Sequence, residues 1–105
     1  MQIIIVGCGK VGRTLAEQLQ EEDTDITLID INPDRINAIT DEVDAMGVVG
    51  NGASINTLME AGIETADILI AVTVSDEMNL LCCLIAQKHG HCHPISRLST
   101  PIYSK

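Results

Sequence analysis

The sequence has 105 residues, fifteen of them acidic against six basic, for a net charge of −9 with the histidines neutral. That length allows one domain and excludes a two-domain enzyme carrying its own substrate domain. The charge repels DNA, RNA and anionic lipid, since no Lys/Arg cluster offsets it, while 46% hydrophobic residues argue against disorder.

With no Phe, no Trp and one Tyr, the core must be built from Ile, Val and Leu. The chain opens on MQIIIVGCG, whose apolar run is short and has no basic leader, so neither a signal peptide nor a membrane span is read there and a cytoplasmic location is expected. From there to about residue 98, short β-branched runs alternate with helical patterns. The predicted order is a strand over 2–6, a helix over 10–22, a strand over 26–30 and a helix over 33–43. A strand over 45–49, a helix over 55–61, a strand over 67–73, a helix over 75–89 and a strand over 94–98 follow. Pro33 suits a first helical position, and Gly62 and Gly90 suit helix ends. The continuous apolar strands imply a parallel sheet covered on both faces, an α/β fold. Right-handed crossovers then favour a doubly wound, Rossmann-like sheet of strand order 3-2-1-4-5. The domain is expected to span 1–98. The tail 99–105 holds no sixth strand and is expected to lead into a missing C-terminal part.

Directly after the first strand stands Gly7-Cys8-Gly9-Lys10-Val11-Gly12, and then a helix begins. In such a loop the first glycine permits a tight turn, the second lets backbone approach a pyrophosphate, and the third lets helix and strand pack closely. The helix start adds free N–H groups and partial positive charge, with Lys10 or Arg13 available as a point charge. An acidic protein can therefore still hold a phosphate diester through aimed backbone amides. Asp30 ends the second strand, where a carboxylate accepts both ribose hydroxyls of an adenosine and repels a 2′-phosphate. The expected ligand is NAD(H), or else ATP or ADP, and not NADP(H). Asp30 could alternatively just cap the turn Asp30-Ile31-Asn32-Pro33.

Gly50-Asn51-Gly52-Ala53-Ser54 follows the third strand and is placed beside the adenine, where the Asn51 amide can donate and accept; Ser54 could cap the next helix. Ligands of open α/β sheets bind outside the carboxyl ends of the strands, so Thr73, Asp76 and Asn79 after the fourth strand are expected to face the ligand. Ser75 with Asp76 and Glu77 also reads as an ordinary helix start.

These residues carry a resemblance. Through IIIVGCGKVG, DITLIDINPDRI, VVGNGASINTLMEAGIETADILIAVTVSDEMNLL and ISRLSTPIY, the whole chain resembles the nucleotide-binding RCK domain, also called KTN, of potassium transport, and in particular the N-terminal domain of TrkA-type potassium-uptake proteins. The resemblance implies phosphate contacts at Gly7, Cys8, Gly9, Lys10, Val11 and Gly12, and ribose contacts at Asp30 with Ile31 beside it. It further implies adenine contacts at Asn51, Gly52 and Ala53, and others at Thr73. Arg97 matches a basic residue of the family that acts as a phosphate partner or an assembly contact. The family often has Asp-Ala-Thr where this chain has Asn51-Gly52-Ala53, and Ala where it has Ser96, so NADH against ATP stays open. Members continue past the position of Tyr103 into a sixth strand and a second small domain. They regulate, without catalysis, a membrane potassium-translocating subunit at the inner face of the cell membrane.

The fourth predicted helix is apolar on every face through Leu80-Leu81-Cys82-Cys83-Leu84-Ile85-Ala86, which implies a homo-oligomer through helix 77–89, although a missing sixth strand with its covering segment would also account for the pattern. Cys8, Cys82, Cys83 and Cys92 read as small core residues. The run His89-Gly90-His91-Cys92-His93 is metal-capable, but it lies at the sheet end opposite the glycine loop without a second ligand cluster, so no metal site is expected. No catalytic constellation assembles, since Tyr103 and Lys105 are two residues apart and would not share a helical face. Two rivals remain: the coenzyme half of an NAD-dependent oxidoreductase, and an assembly module with an empty crevice.

Overall fold

The computed structural model describes residues 1–97. Nine elements alternate along it: β1 (Gln2–Val6), α1 (Lys10–Leu19), β2 (Asp25–Asp30), α2 (Pro33–Thr40), β3 (Ala45–Val49), α3 (Ile55–Glu60), β4 (Ile68–Ala71), α4 (Asp76–His89) and β5 (His93–Ser96). The five strands form one sheet in the order β3-β2-β1-β4-β5, with every neighbouring pair parallel. The doubly wound arrangement expected from the alternation is therefore the one observed. Leu98 and the tail 99–105 lie outside the described residues.

Alternation along the strands sorts the aliphatic side chains into two cores. Ile4, Val6, Ile29, Val48, Leu69 and Ala71 pack with Leu58 of α3 and with Cys82 and Ala86 of α4. Ile3, Ile5, Ile26, Leu28 and Ile70 pack on the other face with Ala16 of α1 and with Ile36 and Ile39 of α2. Both faces of each inner strand are thus covered, which is why their sequences read as unbroken apolar runs. Cys8, Cys82 and Cys92 are buried within these cores, and all four cysteines are free thiols.

Several elements are shorter than their periodicity predicts. The α1 helix stops at Leu19, ahead of the acidic run Glu21-Glu22-Asp23, because carboxylates at a helix C-terminus oppose the macrodipole. In the same way α2 ends before Asp41 and Glu42, although Val43 still donates its N–H to the Ile39 carbonyl at 2.8 Å and stays buried. Strand β4 spans four residues, not seven. The Asp67 carboxylate accepts the Gln2 N–H, and although the Val72 N–H still bonds the Val6 carbonyl at 2.8 Å, Thr73 turns its N–H to the Asn79 side chain, and both residues line a cleft. At the end of α3, Gly62 adopts φ +91° and donates to the Met59 carbonyl, while Ile63 donates to Leu58, a Schellman closure.

Candidate functional site

At the carboxyl ends of the strands, where β1 hands over to α1 on one side and β4 to α4 on the other, lies a cleft of about 250 Å³. Gly7, Gly9, Asp30, Ile31, Arg35, Gly50, Asn51, Gly52, Thr73 and Val74 are among its lining. That volume is below the roughly 300 Å³ at which small-molecule pockets begin, so the cleft takes part of a ligand and leaves the rest across its rim.

Gly7 takes φ +105°, and its N–H bonds the Ile29 carbonyl at 2.8 Å. A methyl here would stand 2.9 Å from the Thr73 nitrogen, so the loops after β1 and β4 approach too closely for any side chain. The next amide turns toward β2: the Cys8 N–H donates to Asp30 Oδ2 at 2.8 Å. The other carboxylate oxygen, Oδ1, accepts the Asn32 N–H at 2.9 Å. Asp30 therefore both caps its turn, as the simpler reading had it, and holds the glycine loop from across the cleft.

Helix α1 starts at this loop with Gly9 as its N-cap and no side chain to cap it. The α2 and α4 starts differ, being capped by the Asn32 side-chain oxygen Oδ1 and the Ser75 hydroxyl. An uncapped helix start behind a glycine loop leaves N–H donors and partial positive charge without a side-chain partner, and its N-cap Gly9 lines the cleft. At Gly9 an added methyl would meet nothing within 4 Å, so the backbone is open to whatever enters.

Several expected contacts are placed differently. The Cys8 side chain points into the core, and its N–H is already taken by Asp30. Burial, then the neighbouring Asp30 charge, pushes the Cys8 thiol up to about 12, with Arg35 pulling the other way, so it stays neutral. Lys10, Val11 and Gly12 do not line the cleft. Gly12 works from behind, since a methyl there would sit 1.9 Å from the Gly7 carbonyl oxygen. Arg13 is turned away into ion pairs with Glu17 and Glu42, and so supplies no charge to the loop. Asn51 lines the cleft, but its Oδ1 accepts the Ala53 N–H at 2.8 Å and is thereby used in the turn. Ala53 packs against the core instead of lining the cleft, and Ser54 occupies the N-cap of α3 without making a side-chain cap bond. Asp76 and Arg97 are outside the lining, Asp76 in the first turn of α4 and Arg97 just past β5.

Asn79 does not line the cleft. It is fully buried, with its amide bonded to Thr73 and to the Arg97 carbonyl. Conversely, sequence reasoning missed Arg35, which among the described residues is the one basic side chain in the cleft lining. Its signal was present: Pro33 opens α2, which puts Arg35 in the first turn, five residues beyond Asp30.

A larger hollow of about 420 Å³ opens at the amino ends of the strands and includes Asp25, Asp44 and Glu60. Among the described residues its lining has no basic side chain, so size does not make it the anion site. His89 ends α4, His93 begins β5 and Cys92 is buried between them, and among the described residues no three metal-capable side chains gather. Among those residues no helix is long and apolar enough to cross a membrane.

An open doubly wound α/β sheet with a glycine loop at the topological switch point defines a Rossmann-like domain. Solved structures agree: it superposes on the GsuK channel bound to NAD with TM-score 0.82 at 20% identity, covering 97% of this chain and 18% of that one. The Shewanella denitrificans Kef C-terminal domain in its AMP-bound form gives TM-score 0.74 at 21% identity, covering 88% and 57%. Within that class the chain belongs to the TrkA-N domain family, whose model matches residues 3–105. It is 46% identical over 104 residues to the Trk system potassium uptake protein TrkA of Vibrio alginolyticus, covering 98% of this chain and 23% of that protein. Against the Halomonas elongata TrkA it is 43% identical over 102 residues, covering 97% and 21%. The chain thus spans about a fifth of these relatives.

Proposed function

We propose that this domain binds an adenine nucleotide, NAD(H) in first place and ATP or ADP as the other candidate, and serves as the non-catalytic regulatory sensor of a potassium-uptake system. The observation that carries the reading is the uncapped start of α1 behind Gly7 and Gly9, with the Asp30 carboxylate fixed across the cleft by the Cys8 and Asn32 N–H groups. Backbone donors suit a pyrophosphate, and the carboxylate suits unmodified ribose hydroxyls. Family membership supports the potassium assignment, and the nucleotides of the Kef and GsuK structures support the ligand class. In this reading the ligand lies over Gly7 and Gly9, with Ile31, Asn51, Gly52 and Thr73 beside it and Arg35 at the rim.

The partner is a membrane potassium-translocating subunit at the inner face of the cell membrane, and the domain works as a homo-oligomer. The exposed apolar residues Leu80, Leu81 and Leu84 of α4 support self-association. Regulation requires that two ligand forms bind the two states of the assembly with different affinity.

Calorimetry with NAD, NADH, ATP, ADP and NADPH tests the ligand. The expected result is binding of an unphosphorylated-ribose nucleotide, at least tenfold weaker binding of NADPH, and at least a tenfold loss in Asp30→Ala with the circular dichroism spectrum unchanged. Absence of binding by all five ligands would refute the reading. Turnover of NADH with a small substrate would instead favour the oxidoreductase alternative.

A further inference from the structure

Among the described residues Asn79 is the buried polar residue of the core, at 0% exposure. Its amide makes four hydrogen bonds, two through each end. Oδ1 accepts the Thr73 N–H at 2.8 Å and the Thr73 hydroxyl at 2.7 Å. Nδ2 donates to the Thr73 carbonyl at 3.1 Å and to the Arg97 carbonyl at 3.1 Å. One side chain on α4 thus holds two segments that are distant in sequence.

The two segments differ in kind. Thr73 belongs to the cleft wall, beside Val74 and Ser75. Arg97 stands where the chain leaves β5, with its own N–H tied to the Ala71 carbonyl at 3.0 Å. A buried amide has no water to replace a lost partner, so its bonds are kept or broken together with those of its neighbours. If the wall at Thr73 shifts, Asn79 must either move with it and draw on Arg97, or leave buried donors and acceptors unpaired.

We infer that Asn79 is a positioning residue through which occupancy of the cleft fixes the main chain at Arg97. This rests on the nucleotide-binding reading above and names the route by which that site reaches the β5 exit. Asn79 touches no ligand in this scheme. It transmits the state of Thr73, and the Arg97 carbonyl is its second terminal.

Site-resolved amide hydrogen exchange on the intact protein, with and without NADH and ATP, tests it. In the wild type, the nucleotide that binds is expected to slow exchange at Thr73 and at Arg97 by a common factor of about ten. Protection at Thr73 with no change at Arg97 would overturn the inference and leave nucleotide binding standing, whereas no binding by either nucleotide would overturn both. Asn79→Asp keeps the acceptor toward Thr73 and removes the two N–H donors. It is expected to preserve the response at Thr73 and cut that at Arg97 at least fivefold. A merely structural Asn79 would lower the melting temperature and leave the ratio of the two responses at its wild-type value, which would also overturn the inference. Should Asn79→Asp fail to fold, the wild-type comparison decides alone.

Discussion

Gly9 and Gly12 sit three residues apart in one motif and serve opposite ends. A methyl at Gly9 meets nothing within 4 Å and the backbone there has φ −77°, which any L-residue adopts. Gly9→Ala should leave unfolding free energy within about 0.5 kcal/mol of wild type, while nucleotide affinity falls at least tenfold, because the methyl stands where backbone would meet phosphate. A methyl at Gly12 would lie 1.9 Å from the Gly7 carbonyl oxygen. Gly12→Ala should therefore cost about 3 kcal/mol or more in urea unfolding, since α1 has to move off β1. Equal stability of the two variants would contradict this division of labour. The glycine pattern is visible in the sequence; which glycine is spent on packing and which is left open depends on what faces each one. Asp30 shows the same limit, since its place at the end of β2 is legible but its bond to the Cys8 N–H, 22 residues away, is not.

The α4 helix carries two kinds of apolar residue. Cys82 and Ala86 lie in the core with Leu58 of α3, whereas Leu84 is 63% exposed. Its all-round apolar sequence predicted burial on two sides, and among the described residues the fold supplies only one of them. Leu84→Asp should keep the unfolding midpoint near wild type while the sedimentation coefficient drops to that of a smaller species. Leu58→Ala is the contrast: fully buried, it should cost about 2–5 kcal/mol. A Leu84→Asp protein that sediments like the wild type would remove α4 as an association surface. Element boundaries were the least legible feature at this scale. Periodicity runs on through Glu22 and Val43, but charge against the helix dipole and the turns toward β2 and β3 stop α1 and α2 earlier.

For the molecule as a whole, the buried thiols Cys8 and Cys82 tie stability to alkaline pH. Burial first, and the nearby Asp30 second, pushes Cys8 from 9.0 up to about 12; burial first, and Cys83 second, pushes Cys82 up to about 11. The folded state thus favours the protonated thiols. Their contribution is fully present below the unfolded value near 9 and is lost as pH rises toward 11 and 12. The urea midpoint should fall from pH 9 upward, and it should fall less steeply in a Cys8→Ala, Cys82→Ala double variant. Parallel profiles for the two proteins would show that other groups govern alkaline unfolding.

What the sequence determined by itself was the order of elements, the parallel doubly wound sheet, the glycine loop and the family to which the chain belongs. The elements, the sheet and the loop follow from local propensity, from short-range spacing and from rules of chain crossover that act on every such alternation, whereas the family was read from the resemblance of its motifs. Tertiary structure alone decided that Arg13 is spent on Glu17 and Glu42, that Arg35 lines the cleft, and that Asn79 bridges Thr73 to Arg97. A polar side chain's role is set by the partners that packing brings within about 3 Å, and those partners come from segments whose separation along the chain carries no signal of their meeting.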